Sequence, residues 1–174
     1  MSLSLALNAA HVKADLKKLK MGLSRGKNFI YDFVPQNELH ITLCSLPEED
    51  IDLEEIRKFL MNIPPLELKL HSIGAYPHSK EARLLWIGVP NTKEIRELRG
   101  ELFRILNIDE GSDDYRPILP VVRLKNHRSV SDLISPFKNT DFGKVLFPEV
   151  SLMEMTSHGP FPSFKIKESI KLHP

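Results

Sequence analysis

Hydrophobic and polar residues alternate along many short segments of this chain, and longer apolar stripes at helical spacing lie between them. Alternation with a period of two predicts strands, because successive side chains of a strand point to opposite faces of the sheet. Apolar residues three and four positions apart predict helices with one buried face. The predicted strands occupy residues 3–8, 28–34, 39–46, 66–71, 84–89, 118–125, 145–155 and 164–172.

Three apolar stripes predict helices between these strands. The stripes are Val12, Leu16, Leu19 and Leu23; Leu53, Ile56, Leu60 and Ile63; and Ile95, Leu98, Leu102 and Ile105. Asp50 is placed to cap the second helix, and Asn91 the third, where Glu94 would complete a capping box. A short fourth helix is expected within residues 129–137. Because the chain has no glycine-rich phosphate loop between a strand and a helix, the order predicts an α+β fold with mixed or antiparallel sheets.

Length and composition predict one domain, residues 1–174, because 174 residues with 41% hydrophobic content can build one well-formed core. No apolar run is long enough to cross a bilayer, so we expect no membrane association. Residues 1–10 lack the basic region of a secretory signal. The single cysteine, Cys44, cannot form an internal disulfide, which is typical of a reducing compartment and predicts a cytoplasmic protein.

A net charge of +1 means that attraction for nucleic acid would come from local clusters. One cluster lies in or just after the first predicted helix. Its members are Lys13, Lys17, Lys18, Lys20, Arg25 and Lys27. A phosphate-facing surface is one interpretation, but a solvated helix face is the commoner meaning of such a charge run.

The predicted strand over residues 39–46 places His40, Thr42 and Cys44 on one face and hydrophobic residues on the other. An imidazole exchanges protons near neutral pH, and a hydroxyl donates hydrogen bonds to phosphate oxygens. His40 and Thr42 are therefore candidates for proton transfer beside a phosphate. One such strand is only half of an acid–base site.

Other reaction classes have little support. The seven histidines include no pair at i, i+4 on a helix and no Cys/His cluster, so we expect no metal site and no cofactor. The chain has no Gly-x-Ser-x-Gly elbow and no Walker loop. Cys44, as a lone cysteine in a strand, is more typical of a small apolar side chain than of a nucleophile.

The stretch Phe33-Val-Pro-Gln-Asn-Glu-Leu-His-Ile-Thr-Leu43 resembles the first signature of the 2H phosphoesterase superfamily, and in particular of the 2′-5′ RNA ligase-like proteins, also called RNA 2′,3′-cyclic phosphodiesterases. The order of the strands at residues 3–8, 66–77, 83–89 and 149–155 extends the similarity along the chain. The resemblance implies two pseudo-symmetric lobes of sheet with flanking helices, each giving one His-x-Thr strand to a central cleft. It implies that two histidines act as base and acid on a 2′,3′-cyclic phosphate without a metal, while the hydroxyls hold phosphate oxygens.

The second motif departs from this pattern. The family sequence resembles Arg-Pro-x-x-Pro-His-x-Thr-Leu, whereas this chain has Arg116-Pro-Ile-Leu-Pro-Val-Val-Arg-Leu124. The alignment places Val121 at the histidine and Arg123 at the threonine, and shifting it by three residues places Ile118 and Pro120 there instead. We expect Arg123 to share a strand face with Val121 and to grip a phosphate bidentately, or else to be a tolerated polar residue.

His127 is a weak candidate for a displaced second histidine, because six residues of strand span about 20 Å. Loss of one of two acid–base groups removes about 10²–10⁴-fold of rate. Three interpretations remain open. The protein is a weak or altered hydrolase of RNA 2′,3′-cyclic phosphate or 2′-5′ phosphodiester ends, a non-catalytic module that binds RNA ends or phosphorylated nucleotides, or an interaction protein without a ligand. We expect a monomer.

Overall fold

The computed structural model describes residues 2–26, 29–109, 114–159 and 162–173. Within these ranges the chain forms nine strands and four α-helices. The strands are β1 Ser2–Asn8, β2 Tyr31–Phe33, β3 His40–Ser45, β4 Leu66–Tyr76, β5 Ala82–Gly88, β6 Ile118–Arg128, β7 Asp141–Phe147, β8 Glu149–Met155 and β9 Phe164–Lys171. The helices are α1 Lys17–Arg25, α2 Leu53–Leu60, α3 Lys93–Leu106 and α4 Ser131–Ile134, and single 3₁₀ turns lie at Gln36–Glu38 and Ser135–Phe137.

The strands form two sheets in which every neighbouring pair is antiparallel. The first sheet has the order β3-β1-β8-β9, and the second has the order β2-β6-β5-β4-β7. Strands from both ends of the chain therefore build the first sheet together. The α+β class with flanking helices and antiparallel sheets is confirmed.

The helix caps differ from the prediction because a neighbouring residue has the geometry to cap. Asp52, and not Asp50, caps α2, where its side chain accepts a backbone N–H two residues later at 2.9 Å. Thr92, and not Asn91, caps α3 and accepts a backbone N–H three residues later at 3.3 Å. With Thr92 as the cap, Glu94 is one residue too early to complete a capping box.

The predicted strand at residues 145–155 is in fact two strands in different sheets. β7 ends at Phe147 and β8 begins at Glu149, so Pro148 is the single residue between them. Proline has no backbone N–H to donate to a ladder, which favours a break at this position. α1 likewise begins only at Lys17, so Val12 of the predicted stripe precedes the helix although its side chain is buried.

A bulge in β3 overturns the expected placement of Cys44. Leu5 of β1 pairs with Cys44, but the next residue, Ala6, pairs with Thr42, so Leu43 is an extra residue in β3. An extra residue reverses the alternation beyond it. His40 and Thr42 keep one face, whereas Cys44 turns into the hydrophobic core and is 4% exposed.

The hydrophobic core is continuous and takes side chains from both sheets and from α1, α2 and α3. Representative members, all at most 1% exposed, are Leu7, Leu19, Leu23, Ile41, Ile56, Leu60, Leu70, Leu85, Ile87, Ile95 and Val122. This packing holds β3 and β6, which are not paired in a sheet, in contact with each other. No helix of the described residues is long and apolar enough to span a bilayer.

Candidate active site

His40 lines a cavity of about 290 Å³ whose walls come from both sheets. The first sheet gives Ser4, His40 and Thr42, and the second gives Leu84, Pro120 and Arg123. Phe164, at the start of β9, lines the same cavity. The predicted pair His40 and Thr42 and the predicted Arg123 therefore come together at one site.

The His40 ring is held in one orientation. Its Nδ1 atom lies 2.6 Å from the backbone carbonyl oxygen of Glu38, and its ring meets that of Phe164 edge to face at 4.7 Å between centroids. A carbonyl oxygen only accepts hydrogen bonds, so Nδ1 carries the proton and donates it. In the neutral ring, Nε2 is then the nitrogen with the lone pair.

Burial sets the protonation state of His40. The residue is 7% exposed, and this desolvation lowers its pKa from the ordinary value of 6.5. The hydrogen bond to the Glu38 carbonyl and the charge of the Glu38 carboxylate raise the pKa, but they offset the burial only in part. Near neutral pH the imidazole is therefore neutral, which suits a group that accepts a proton.

Glu38 is a second buried titratable residue of this cavity, and no pattern in the sequence pointed to it. Its Oε1 atom accepts a hydrogen bond from the backbone N–H of Phe164 at 2.5 Å. One residue thus fixes both sides of the edge-to-face contact, because its carbonyl orients His40 and its carboxylate anchors Phe164. Glu38 is a positioning residue for His40.

Thr42 is exposed to the cavity, and its backbone is fixed from the outer edge of the sheet. β3 is an edge strand, so some of its carbonyl groups have no partner strand. The Tyr115 hydroxyl donates to the Thr42 carbonyl at 2.8 Å, and the buried Arg99 Nε donates to the Leu43 carbonyl at 2.8 Å. The Arg99 guanidinium stacks on Tyr115 at 3.5 Å from the ring centroid, which joins the two contacts.

Arg123 lies in the cavity wall, but protein groups already occupy much of its guanidinium. Its Nη2 atom lies 2.9 Å from the Asp32 carboxylate, and its Nη1 atom donates to the Pro162 carbonyl. The Arg123 side chain is 8% exposed, whereas that of Asp32 is half exposed. A bidentate grip on phosphate would have to displace these partners, so the geometry favours a contribution through charge.

Val121 does not line the His40 cavity. It is 4% exposed, belongs to the hydrophobic core and lines a separate cavity with Leu39, Ile87 and Leu119. β6 carries an extra residue here, because Trp86 of β5 pairs with Pro120 and its neighbour Leu85 pairs with Val122. This bulge breaks the alternation on which the expected shared face of Val121 and Arg123 depended. The residues of β6 that line the cavity are Pro120 and Arg123.

Two further groups singled out in the sequence lie elsewhere. His127 is at the exposed end of β6, with Nδ1 3.4 Å from a carboxylate oxygen of Glu81, and does not line the cavity. The described members of the basic cluster are all exposed, as expected for a solvated face. They are Lys13, Lys17, Lys18, Lys20 and Arg25. Lys27 lies outside the described residues. Within the described ranges, no three His, Cys, Asp or Glu side chains are placed to share a metal ion.

The sequence matches the family described as the AKAP7 2′5′ RNA ligase-like domain over residues 2–172. The chain belongs to this family of 2H phosphoesterases. A relative from Methanocaldococcus jannaschii, named RNA 2′,3′-cyclic phosphodiesterase, is 31% identical over 134 residues, which cover 73% of this chain and 78% of the relative.

Solved structures share the fold of this 2H phosphoesterase. A protein of Thermus thermophilus superposes with a TM-score of 0.68 at 16% identity, covering 99% of this chain and 98% of the other. E. coli LigT, solved in complex with 3′-AMP, superposes with a TM-score of 0.63 at 16% identity and the same coverage. In this 2H phosphoesterase, His40 is the single histidine among the described residues that line the cavity.

Proposed function

We propose that this 2H phosphoesterase hydrolyses 2′,3′-cyclic phosphate ends of RNA or of small nucleotides, with His40 as its acid–base group. The observation that carries the proposal is the state of His40. Its ring is buried, its Nδ1 atom is tethered to the Glu38 carbonyl, and its lowered pKa leaves Nε2 unprotonated near neutral pH. A base with a pKa near or below the working pH is matched to removing a proton from water. The relatives named RNA 2′,3′-cyclic phosphodiesterase support the substrate class.

The proposed step is a displacement at phosphorus. A water oxygen forms a bond to the phosphorus atom while one of the two ribose–phosphate bonds of the cyclic ester breaks. His40 Nε2 takes a proton from the water, and the departing ribose oxygen takes a proton from solvent. The product is a phosphate monoester on one ribose hydroxyl, and the protonated His40 then returns its proton to solvent.

Thr42 and Arg123 take the substrate-binding roles in this proposal. The Thr42 hydroxyl lies on the same strand face as His40 and donates a hydrogen bond to a phosphate oxygen. Arg123 supplies positive charge from the opposite wall while it keeps its contacts to Asp32 and Pro162. Positive charge near a phosphoryl group stabilises the charge that develops on its oxygens during displacement.

The activity is expected to be weak beside that of relatives with two His-x-Thr motifs. The two positions of the second motif hold Val121 and Arg123 in one alignment and Ile118 and Pro120 in the other, and none of these side chains can serve as a general acid at neutral pH. The proton for the leaving oxygen must then come from water. General acid catalysis contributes about 10²–10⁴-fold, so the rate is reduced by about that factor.

A non-catalytic module that binds phosphorylated RNA ends is the second candidate. The observation in its favour is the same substitution of the second motif, because it removes an acid–base group while the cavity and the Arg123 charge remain. The two candidates make different predictions for one pair of measurements.

The experiment measures turnover and binding of a short RNA with a 2′,3′-cyclic phosphate end. Turnover that His40→Ala abolishes, while binding persists, supports the hydrolase. Binding without turnover, weakened in Arg123→Ala, supports the module. An absence of both overturns the two candidates together.

We further propose that the hydrolase is metal-independent, cytoplasmic and monomeric, with residues 1–174 acting as one domain. Metal independence follows from the proposed step, in which every proton moves through His40 or water. A single cysteine, the free thiol Cys44, supports the cytoplasmic assignment. Turnover retained in EDTA, and a mass of 19.9 kDa by light scattering, are the expected results.

A further inference from the structure

Trp86, the single tryptophan of the chain, lies beside the His40 cavity. It is on β5, two residues after Leu84, and its Cα partner on β6 is Pro120. Residues two apart on a strand, and residues directly opposite on paired strands, share a sheet face. Leu84 and Pro120 both line the His40 cavity, so Trp86 continues that surface along the second sheet.

The indole ring of Trp86 rests on two glycines. A Cβ atom at Gly74, its partner on β4, would lie 2.2 Å from two carbons of the six-membered ring, and a Cβ at Gly88 would lie 3.3 Å from a third. The ring therefore occupies the space that side chains at these positions would need, and one side of it lies against the backbone. The half-buried indole also lines a second cavity, of about 520 Å³.

This second cavity is positively charged. The cationic residues Lys69 and Arg116 line it with His71 and Trp86, and no carboxylate is among the described residues of its lining. Lys69 is half exposed and has the Asp141 carboxylate 3.8 Å away, a surface ion pair that leaves the ammonium accessible to solvent. A flat aromatic ring on a sheet, flanked by basic side chains, is the arrangement with which proteins bind single-stranded nucleic acid.

We propose that this second cavity is a nucleotide subsite, in which Trp86 stacks on the base that precedes the cyclic-phosphate end bound at His40. Lys69 and Arg116, which lie beyond Trp86 from the His40 cavity, then neutralise the phosphate on the 5′ side of the stacked nucleotide. The inference rests on the proposed function, because the terminal nucleotide must lie at His40. That cavity has apolar walls of its own from Leu84 and Phe164, so it holds the terminal nucleoside and leaves Trp86 to the preceding one.

The experiment compares two ligands that share a 2′,3′-cyclic phosphate end, adenosine 2′,3′-cyclic phosphate and the corresponding adenosine trinucleotide. Affinities are measured by stopped-flow titration before turnover. Stacking of one base contributes about tenfold or more in affinity, so the trinucleotide is expected to bind at least about tenfold more tightly. The trinucleotide is also expected to quench Trp86 fluorescence, while the mononucleotide leaves it nearly unchanged.

Substitutions test the role of the indole itself. Trp86→Ala is expected to remove that tenfold gain for the trinucleotide and to leave the mononucleotide affinity as it was, whereas Trp86→Phe retains most of the gain. Gly74→Ala keeps Trp86 but displaces its ring, and it is expected to weaken trinucleotide binding as well.

Lys69→Gln and Arg116→Gln should each lower the salt dependence of trinucleotide binding by about 0.7 in log–log slope. Lys167→Gln, a half-exposed lysine paired with Glu154 in the other sheet, is the matched control.

Two results would overturn this subsite without touching the proposed function. One is equal affinity of the wild-type protein for both ligands, and the other is an equal loss for both in Trp86→Ala. Wild-type protein that binds neither ligand would overturn the proposed function and the subsite together. The fluorescence titration needs no variant, so the subsite stays testable even where a substitution impairs folding.

Discussion

The Nδ1 atom of His40 donates a hydrogen bond of 2.6 Å to the backbone carbonyl oxygen of Glu38. Because the acceptor is a main-chain oxygen of the turn that precedes β3, the bond does not depend on the Glu38 side chain. The bond fixes the tautomer and leaves Nε2 as the basic nitrogen. The chemical role proposed for His40 follows from this contact and from the burial of the ring.

Burial of His40 predicts a pH dependence of stability. The native pKa is lower than 6.5, whereas the unfolded chain takes up this proton near 6.5. Between these values the unfolded state binds more protons than the native state. The stability that the neutral, buried His40 ring contributes is therefore fully present above pH 6.5 and is lost as the pH falls towards the native pKa. We expect the free energy of unfolding of His40→Gln to fall less than that of the wild type between pH 7.5 and pH 5.5 in urea titrations. Thr42→Val, which removes no titratable group, should keep the wild-type slope, and equal slopes in all three proteins would contradict the burial argument.

The bulge at Leu43 predicts an unreactive Cys44. Burial raises the pKa of the Cys44 thiol to about 11, so roughly one thiol in a thousand is ionised at pH 8. We expect Ellman's reagent to modify the native protein only as fast as it unfolds, and to modify it at once in urea. Rapid modification of the native protein would show that Cys44 faces the cavity with His40, as simple alternation had predicted.

The Glu38 side chain is expected to contribute to stability through its hydrogen bond with the Phe164 N–H. Glu38→Ala removes the acceptor of the Phe164 N–H in a buried setting, and a hydrogen bond to a charged group contributes about 1.5–3 kcal/mol. We expect a loss of unfolding free energy in that range for Glu38→Ala and a smaller loss for Glu38→Gln, which retains an acceptor oxygen. Identical losses for the two variants would mean that the negative charge of Glu38, and not its acceptor oxygen, is responsible.

Asp32 limits the positive charge that the cavity presents. Asp32→Asn keeps the shape of the side chain but removes the negative charge that lies 2.9 Å from Arg123 Nη2. We expect this variant to bind inorganic phosphate about two- to fivefold more tightly at low ionic strength, with the gain shrinking as salt is added. Glu101→Gln, which breaks the surface ion pair with Arg104 on α3, serves as the control and should bind phosphate like the wild type. Unchanged binding by Asp32→Asn would place Arg123 outside the phosphate site.

Much of the fold was predictable because local patterns determine it. The period-two alternation and the helical stripes placed the strands and helices, and the resemblance around His40 and Thr42 identified the family. The sequence did not show that Leu43 is an extra residue, because a bulge depends on the partner strand and changes no local composition. Simple alternation therefore placed Cys44 on the face of His40, whereas its side chain lies in the core.

The site was predictable only in part for a related reason. Arg123 was expected from its alignment with the threonine of the second motif, but its partners Asp32 and Pro162 come from β2 and from the segment before β9, which are distant in sequence. Glu38 carries no signal of its own, since a glutamate in a polar turn is ordinarily solvated. Tertiary packing, and not pattern, decides which of these side chains are buried together.

The central claim is that His40 is the single acid–base group of the hydrolysis proposed for this 2H phosphoesterase. The most direct test is the single-turnover rate of hydrolysis of an RNA with a 2′,3′-cyclic phosphate end, measured in EDTA for the wild type and for His40→Gln. We predict measurable wild-type turnover and a loss of about 10²–10⁴-fold in His40→Gln, with the affinity for the RNA largely retained. Equal rates in the two proteins, or wild-type turnover that EDTA abolishes, would contradict it.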